Sequence, residues 1–174
     1  MKIVFLISIL LNYTDIYSSQ TIGEQLDSVA LISRERADVV LSSFDYPNSY
    51  KLLYSINDRD FWVIVKKETL FKEYYLRLDE SDEIIFTRPV KSRRKDFKLL
   101  TRAFDLEMYH SNFITSLPDA KFIHGYPSYF VIKDSDGTRY GEYSLSSLTI
   151  PTPIDADVYF YLTRRLIEQK NKKK

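Results

Sequence analysis

The chain has 174 residues, a length that fits one domain, and its 25 Lys and Arg residues nearly balance its 24 Asp and Glu residues. This balance excludes a global electrostatic field that would attract nucleic acid, so we predict no nucleic-acid partner. The chain contains no cysteine, which excludes disulfides, thiol chemistry and cysteine-ligated metal sites. Hydrophobic residues make up 44% of the chain and glycine occurs only four times, which predicts a packed domain with few turns of positive φ.

The N-terminus has the order of features of a secretory signal peptide. Lys2 supplies a charge, residues 3–11 form an apolar run, and the small residues Ser18 and Ser19 follow. The run is about half the ~20 residues that a membrane-spanning helix needs. We predict a signal peptide over residues 1–19, cut between Ser18 and Gln20, and a secreted or periplasmic protein with no transmembrane anchor after cleavage. The alternative is a buried N-terminal helix or strand.

The predicted domain covers residues 20–170, and a basic disordered tail covers residues 171–174. A first helix is predicted over residues 21–43, because Thr21 and Glu24 form a capping box and Pro47 follows the end of the apolar pattern. Its predicted inner face consists of residues at helical spacing: Ile22, Leu26, Val29, Ala30, Ala37, Val40 and Leu41.

Residues 50–90 contain four alternating runs separated by short turns, which predict an antiparallel meander. In the second run, Phe61 and Val63 fall on one face, and Trp62 and Ile64 fall on the other. In the third run, the apolar residues assigned to one face are Leu70, Tyr74, Leu76 and Leu78.

A second helix is predicted from Asp96 to His110, with an apolar stripe that includes Phe97 and Met108. A hairpin follows, and a third helix is predicted to begin with Thr152 as cap and Pro153 at its first position. The predicted fold is therefore α+β in the order α-β4-α-β2-α. It is an antiparallel sheet, a four-strand meander plus a C-terminal hairpin, packed by about three helices.

The hairpin segment is a candidate for a metal or cofactor site. Residues 125–130, Gly-Tyr-Pro-Ser-Tyr-Phe, resemble the segment that carries the cis-proline of thioredoxin-like proteins, a resemblance that covers about 20 residues. Kinship would imply a thiol-less scaffold, but the redox cysteines are missing and we interpret the likeness as convergence on a common hairpin. Asp134 to Gly137 has the residues of a tight turn and lacks the further carboxylates of a calcium loop. We predict no metal site and no cofactor.

His110 and His124 are the only groups that titrate near neutrality without perturbation. A cofactor-free hydrolase would use one of them as its base, yet no serine lies in a recognisable nucleophile motif. We therefore favour a non-catalytic protein and keep the hydrolase as an alternative.

Two sets of residues are candidates for binding. Arg93, Arg94 and Lys95 lie at a predicted helix N-terminus, where cations are disfavoured. This mismatch indicates either an anionic partner or acidic neighbours in the fold. Trp62, Tyr75 and Tyr129 lie on predicted strands, where they belong either to the core or to an exposed aromatic face that binds protein or glycan.

These observations predict an exported, non-catalytic binding or accessory protein of the bacterial envelope, similar in role to inhibitors or immunity proteins. Its predicted partner is another envelope or secreted protein, and the sequence makes no prediction of oligomeric state. The alternatives are the hydrolase that uses His124 or His110 and the thiol-less thioredoxin-like scaffold.

Overall fold

The computed structural model describes residues 22–44, 46–115, 127–146 and 152–172. The predicted signal peptide, Thr21 and His124 lie outside these residues. The elements in chain order are α1 (Ile22–Ser42), β1 (Tyr50–Ser55), β2 (Asp60–Lys67), β3 (Leu70–Leu78), β4 (Ile84–Val90), α2 (Phe97–Ala103), β5 (Pro127–Lys133), β6 (Arg139–Ser146) and α3 (Ala156–Lys170). This order confirms the predicted α+β class. None of the described helices is both long enough and apolar enough to cross a membrane.

The six strands form one sheet in the order β4-β3-β2-β1-β5-β6, and every neighbouring pair is antiparallel. The four-strand meander is therefore continued by the hairpin, which adds β5 to the free edge of β1. Leu53 of β1 lies opposite Val63 on one side and Val131 on the other. The apolar strands β1, β2 and β5 thus occupy the middle of the sheet.

Helices cover both faces of the sheet. Phe61, Val63 and Val65 pack in a core beneath α1, whereas Trp62 and Ile64 pack in a second core beneath α2 and α3. The alternation predicted for β2 is therefore confirmed. Strand side chains alternate between the two faces of a sheet, and the β2 residues on both faces are apolar. Each face can therefore pack against a layer of helices.

The second predicted helix is shorter than expected. It ends at Ala103 rather than His110, because Asp105 adopts extended backbone angles and a short 3₁₀ turn, Leu106–Met108, follows. The prediction that Phe97 and Met108 belong to a buried stripe was wrong, since both side chains are exposed. The apolar spacing in the sequence does not reveal this break, because Leu100 and Ala103 would be buried whether the helix ended at Ala103 or continued to His110.

The other two helices also differ from their predictions, α3 in its first residue and α1 in one residue of its inner face. Helix α3 starts at Ala156, three residues after Pro153, because the Asp155 side chain accepts a hydrogen bond from the Val158 N–H at 3.1 Å. Asp155 therefore takes the capping role that was assigned to Thr152. In α1, Val29 was predicted on the inner face but is exposed.

The small number of glycines predicted few residues with positive φ, but four residues other than glycine also adopt it. Asn48, Asp58, Glu68 and Asp82 have φ between 54° and 61°. Asn and Asp tolerate this region better than other residues with a side chain, so they replace glycine at three of these positions. Gly141, at φ 61°, is different: a Cβ there would lie 2.7 Å from the ring of Tyr109, so this position requires glycine.

A buried ion pair docks α3 on the sheet. Arg165 of α3 and Glu73 of β3 are each at most 1% exposed, and the Arg165 Nη2 lies 3.2 Å from Glu73 Oε2. The same carboxylate oxygen accepts a hydrogen bond from the Tyr161 hydroxyl at 2.8 Å. The Arg165 guanidinium lies 5.0 Å from the centre of the Trp62 ring, a cation–π contact. These contacts determine which turn of α3 lies over β3.

We expect Arg165→Met to lower the free energy of unfolding by about 3–5 kcal/mol, because it leaves the Glu73 carboxylate charged and buried without its cation. The double variant Glu73→Gln/Arg165→Met should recover most of this loss, since glutamine is neutral and still accepts from Tyr161. Urea unfolding measures both values. Arg94→Met, on an exposed side chain, serves as the control and should stay within about 0.5 kcal/mol of the wild type. A similarly small loss in Arg165→Met would show that the pair does not hold the helix.

Candidate functional site

An open groove of about 580 Å³ lies between α2 and α3. Leu99 contributes from α2, and the residues from α3 are Asp157, Phe160, Tyr161 and Arg164. The four α3 residues follow the spacing i, i+3, i+4 and i+7, so they share one face of the helix. The volume is within the range of natural ligand sites, about 300–1,000 Å³.

Phe160 is the apolar residue that the groove presents to solvent. Its ring is 65% exposed, whereas the neighbouring Tyr161 is buried and bonded to Glu73. Aromatic residues are enriched in protein interfaces, because they bury a large area with little loss of side-chain entropy. The groove therefore combines a fixed floor, held by Tyr161, with an aromatic side chain that is free to contact a partner.

Basic residues border the groove on its α2 side. Arg164, which is half exposed, lies 3.9 Å from Asp96 in the 3₁₀ turn Arg94–Asp96 that precedes α2. That turn and the first turn of α2 carry Arg94, Lys95 and Lys98, and all three are exposed. Within the described parts of the chain, none of these three forms an ion pair. This border is thus positively charged and accessible.

Two other arginines near α2 form ion pairs with α3 and its cap residue. Arg93 lies 2.9 Å from Glu168, and Arg102 forms ion pairs with Asp155 and, at 3.1 Å, with Asp157. For Arg93 the fold supplies the acidic neighbour that was one of the two explanations for these cations. Of the three predicted binding cations, Arg94 and Lys95 form no ion pair among the described residues, and they directly precede Asp96, which lies 3.9 Å from the groove residue Arg164.

Of the two interpretations of the strand aromatics, the structure supports the core and not an exposed aromatic sheet face. Trp62 is 0% exposed, Tyr75 is 2% exposed and Tyr129 is 0% exposed, because helices cover both faces of the sheet. Trp62 and Tyr75 lie beneath α3, and Tyr129 lies beneath α1, where its hydroxyl donates to Glu142. Sequence analysis missed Phe160, although its position was detectable: the inner residues Val158 and Leu162 place residue 160 on the opposite side of the helix.

The described residues show no assembled hydrolase site around His110. Its side chain is exposed, and the hydrogen bond that the residue makes uses its backbone carbonyl, which accepts from the Gly141 N–H at 2.9 Å. The strand-helix-strand opening expected of a thioredoxin-like scaffold is also not found there, since α1 leads into a meander of four antiparallel strands.

The hairpin of β5 and β6 is joined by a tight turn. The Asp134 carboxylate accepts hydrogen bonds from the N–H groups of Asp136 and Thr138, both at 2.9 Å, and Gly137 adopts φ 89°. The Asp-x-Asp-Gly sequence thus makes a β-turn in which one carboxylate is used by the backbone.

Asp58 is a titratable group with an unusual environment. It lies in the β1–β2 turn beneath α1, where Ser33 donates to its Oδ2 at 2.9 Å and its Oδ1 has no partner among the described residues. Burial raises the pKa of Asp58 to about 6, and the Ser33 hydrogen bond and the charge of Arg36 only partly oppose this. Strongly shifted pKa values often mark functional sites. Asp58, however, faces the opposite side of the sheet from the groove.

Comparison of the chain with models of known protein families, with curated proteins and with solved structures found no match. The groove, its charges and its exposed aromatic ring are therefore the basis on which a function can be argued.

We expect Asp58→Asn to change the pH dependence of stability. Between pH 4 and 6 the folded protein keeps a proton on Asp58 that the unfolded chain has released, so this group stabilises the fold less as the pH rises. The shift from 3.8 to about 6 corresponds to roughly 3 kcal/mol, lost on going from pH 4 to pH 7. Asparagine cannot ionise and still accepts from Ser33.

The measurement is urea unfolding of both proteins at pH 4, 5, 6 and 7. The variant should gain stability relative to the wild type as the pH rises, by roughly 3 kcal/mol over the range. A difference between the two proteins that does not change with pH would contradict a raised pKa at Asp58.

Proposed function

We propose that this chain is an exported, non-catalytic binding protein of the bacterial envelope, similar in role to inhibitors or immunity proteins. It binds an acidic segment of another envelope or secreted protein in the groove between α2 and α3. The observation that carries the proposal is the 65% exposure of Phe160 in a groove whose lining residue Leu99 directly follows the exposed cation Lys98. Export rests on the predicted signal peptide.

The groove combines apolar contact with exposed charge. Asp157, the carboxylate in the groove, has a side chain that is 69% exposed and forms an ion pair with Arg102. Leu99 and Phe160 supply the apolar surface beside it. Apolar residues beside accessible polar ones are typical of a surface that binds a protein partner.

The chemistry of the groove indicates the chemistry of its partner. Leu99 and Phe160 fit an apolar anchor, and Arg94, Lys95 and Lys98 beside them fit carboxylates on either side of that anchor. Complementary charge raises the association rate and disfavours basic competitors. We therefore assign the groove to a protein segment with one large apolar side chain flanked by Asp or Glu.

Matched peptides test this proposal. One set carries Phe or Leu flanked by Asp and Glu, and the other carries the same anchors flanked by Lys and Arg. Fluorescence anisotropy should show that the acidic peptides bind at least about tenfold more tightly, and that this preference falls as salt rises. Phe160→Ser and Lys95→Glu/Lys98→Glu should each weaken binding by about tenfold or more.

Two controls match these variants in chemistry but lie away from the groove. Ile85→Ser removes an apolar side chain of similar exposure on β4, and Lys67→Glu reverses an exposed charge at the end of β2. Both should bind as the wild type does. Equal binding of acidic and basic peptides, or full binding by Phe160→Ser, would refute the proposal. A partner recovered from envelope extract should show the same dependence on these variants.

Export predicts that natively produced protein lacks its first 18 or 19 residues, because signal peptidase removes the segment during secretion. Intact-mass measurement on protein from the native cell envelope or medium tests this. Protein that retains Met1 would show that residues 1–19 are part of the working chain.

A further inference from the structure

We propose that the C-terminal end of α3 and the neighbouring strands β3 and β4 form a binding site for a tetrahedral oxyanion, a phosphate group. The site is a cavity of about 40 Å³, here called the α3-end cavity. Its polar lining residues are Arg77, Arg88, Gln169, Lys170 and Lys172, and its aromatic walls are Tyr75 and Phe86. A water needs about 10–15 Å³ of such space, so the cavity has the size of a group of a few atoms.

The register of the sheet places the cations of this cavity in adjacent rows. Arg88 of β4 lies opposite Tyr75 of β3, and Phe86 of β4 lies opposite Arg77 of β3. The side chains of alternate residues share a face, so all four point toward α3. The Arg88 guanidinium lies 5.6 Å from the centre of the Tyr75 ring and 5.5 Å from that of Phe86, which limits where it can move.

Positive charge exceeds negative charge around the cavity. Four cations line it, and Asp60 is the carboxylate bonded to them: Arg77 donates to its Oδ1 at 2.9 Å and Lys170 lies 3.1 Å from its Oδ2. Tyr75 and Asn57 also donate to this carboxylate. With both oxygens of Asp60 in use, Arg88 and Lys172 have no carboxylate partner among the described residues.

Two buried donors at the cavity have no acceptor in the described part of the chain: Arg88 Nε and Gln169 Nε2. Gln169 is 2% exposed, and its amide orientation is determined because Oε1 accepts from Arg88 Nη2 at 3.0 Å. The amide nitrogen therefore points away from that bond. A buried donor without an acceptor costs about 1–3 kcal/mol. An oxyanion offers acceptors to both donors and charge to both unpaired cations.

The helix dipole does not exclude an anion here. The C-terminal end of a helix carries partial negative charge on its last carbonyls. The Gln169 carbonyl at this end already accepts from Arg88 Nη2 at 3.0 Å and from the Lys172 N–H at 3.3 Å. The full charges of Arg88 and Lys172 exceed the residual half charge of the helix end.

The α3-end cavity is independent of the groove. The groove uses residues of the first half of α3, up to Arg164, whereas the cavity begins at Gln169. The oxyanion proposal therefore holds or fails separately from the proposed partner. A phosphate group reaches such a site as the free ion or as a monoester on a larger molecule, and both present the same oxygens.

The test is a titration of the full-length, ¹⁵N-labelled protein with inorganic phosphate, with sodium chloride at the same ionic strength as the reference. We expect saturable NMR shifts at the Arg88 Nε–H and the Gln169 side-chain amide, and none from chloride. A parallel titration with glycerol 1-phosphate separates the two sources: equal affinity assigns a phosphomonoester, and binding of inorganic phosphate alone assigns the free ion.

Lys172→Met is the decisive variant, because Lys172 is exposed and its loss does not disturb packing. It should weaken phosphate binding by about fivefold or more, whereas Lys67→Met should change it less than twofold. Gln169→Met should also weaken binding, and Phe160→Ser should leave it unchanged. The absence of saturable shifts from both phosphates, or equal losses in Lys172→Met and Lys67→Met, would overturn the proposal.

Discussion

The ion pair between Glu73 and Arg165 is the contact on which the α3 side of the molecule depends. A carboxylate at most 1% exposed in the third strand requires a cation, and the cation comes from a helix 92 residues later in the chain. Removing one partner of such a pair is costly because the other charge stays buried. The pair therefore permits one placement of α3 along β3, and a shift of one helical turn would break it.

This placement determines both candidate sites. One turn before Arg165, Tyr161 bonds to the same carboxylate and forms the floor of the groove, which directs the neighbouring Phe160 to solvent. One turn after it, Gln169 meets Arg88 of β4 and completes the wall of the α3-end cavity. Helical periodicity thus places two surfaces of different chemistry on either side of one anchor. The groove exposes the aromatic ring of Phe160 beside two charged residues, and the cavity combines five polar side chains with two aromatic walls.

The fold could largely be predicted from local sequence patterns, because these report which residues prefer the interior. The alternation predicted for β2 appears in the structure. The same patterns fail for β3, whose second face carries Glu73, Tyr75 and Arg77 and resembles a solvated face. Glu73 is buried there because Tyr161 and Arg165 of α3 bond to its carboxylate, and no local pattern contains that information. The exposed aromatic ring was missed for the same reason: strand residues were expected to supply it, yet the helices cover them.

The pairing of charged side chains in the fold shows why a nearly neutral composition does not exclude an electrostatic function. The chain has a formal net charge of +1, yet its acids and bases are not evenly distributed over the surface. Asp155, Asp157 and Glu168 of α3 are each paired with an arginine, and Asp60 is surrounded by donors. The hydrogen bonds from Tyr75, Asn57 and Arg77 outweigh the burial of Asp60 and lower its pKa to about 2, so this acid stays ionised and paired. Lys98 of α2 and Lys172 after α3 are among the cations that have no such partner in the described residues. Pairing in the fold, rather than the count of charged residues, therefore decides which cations remain available to a ligand.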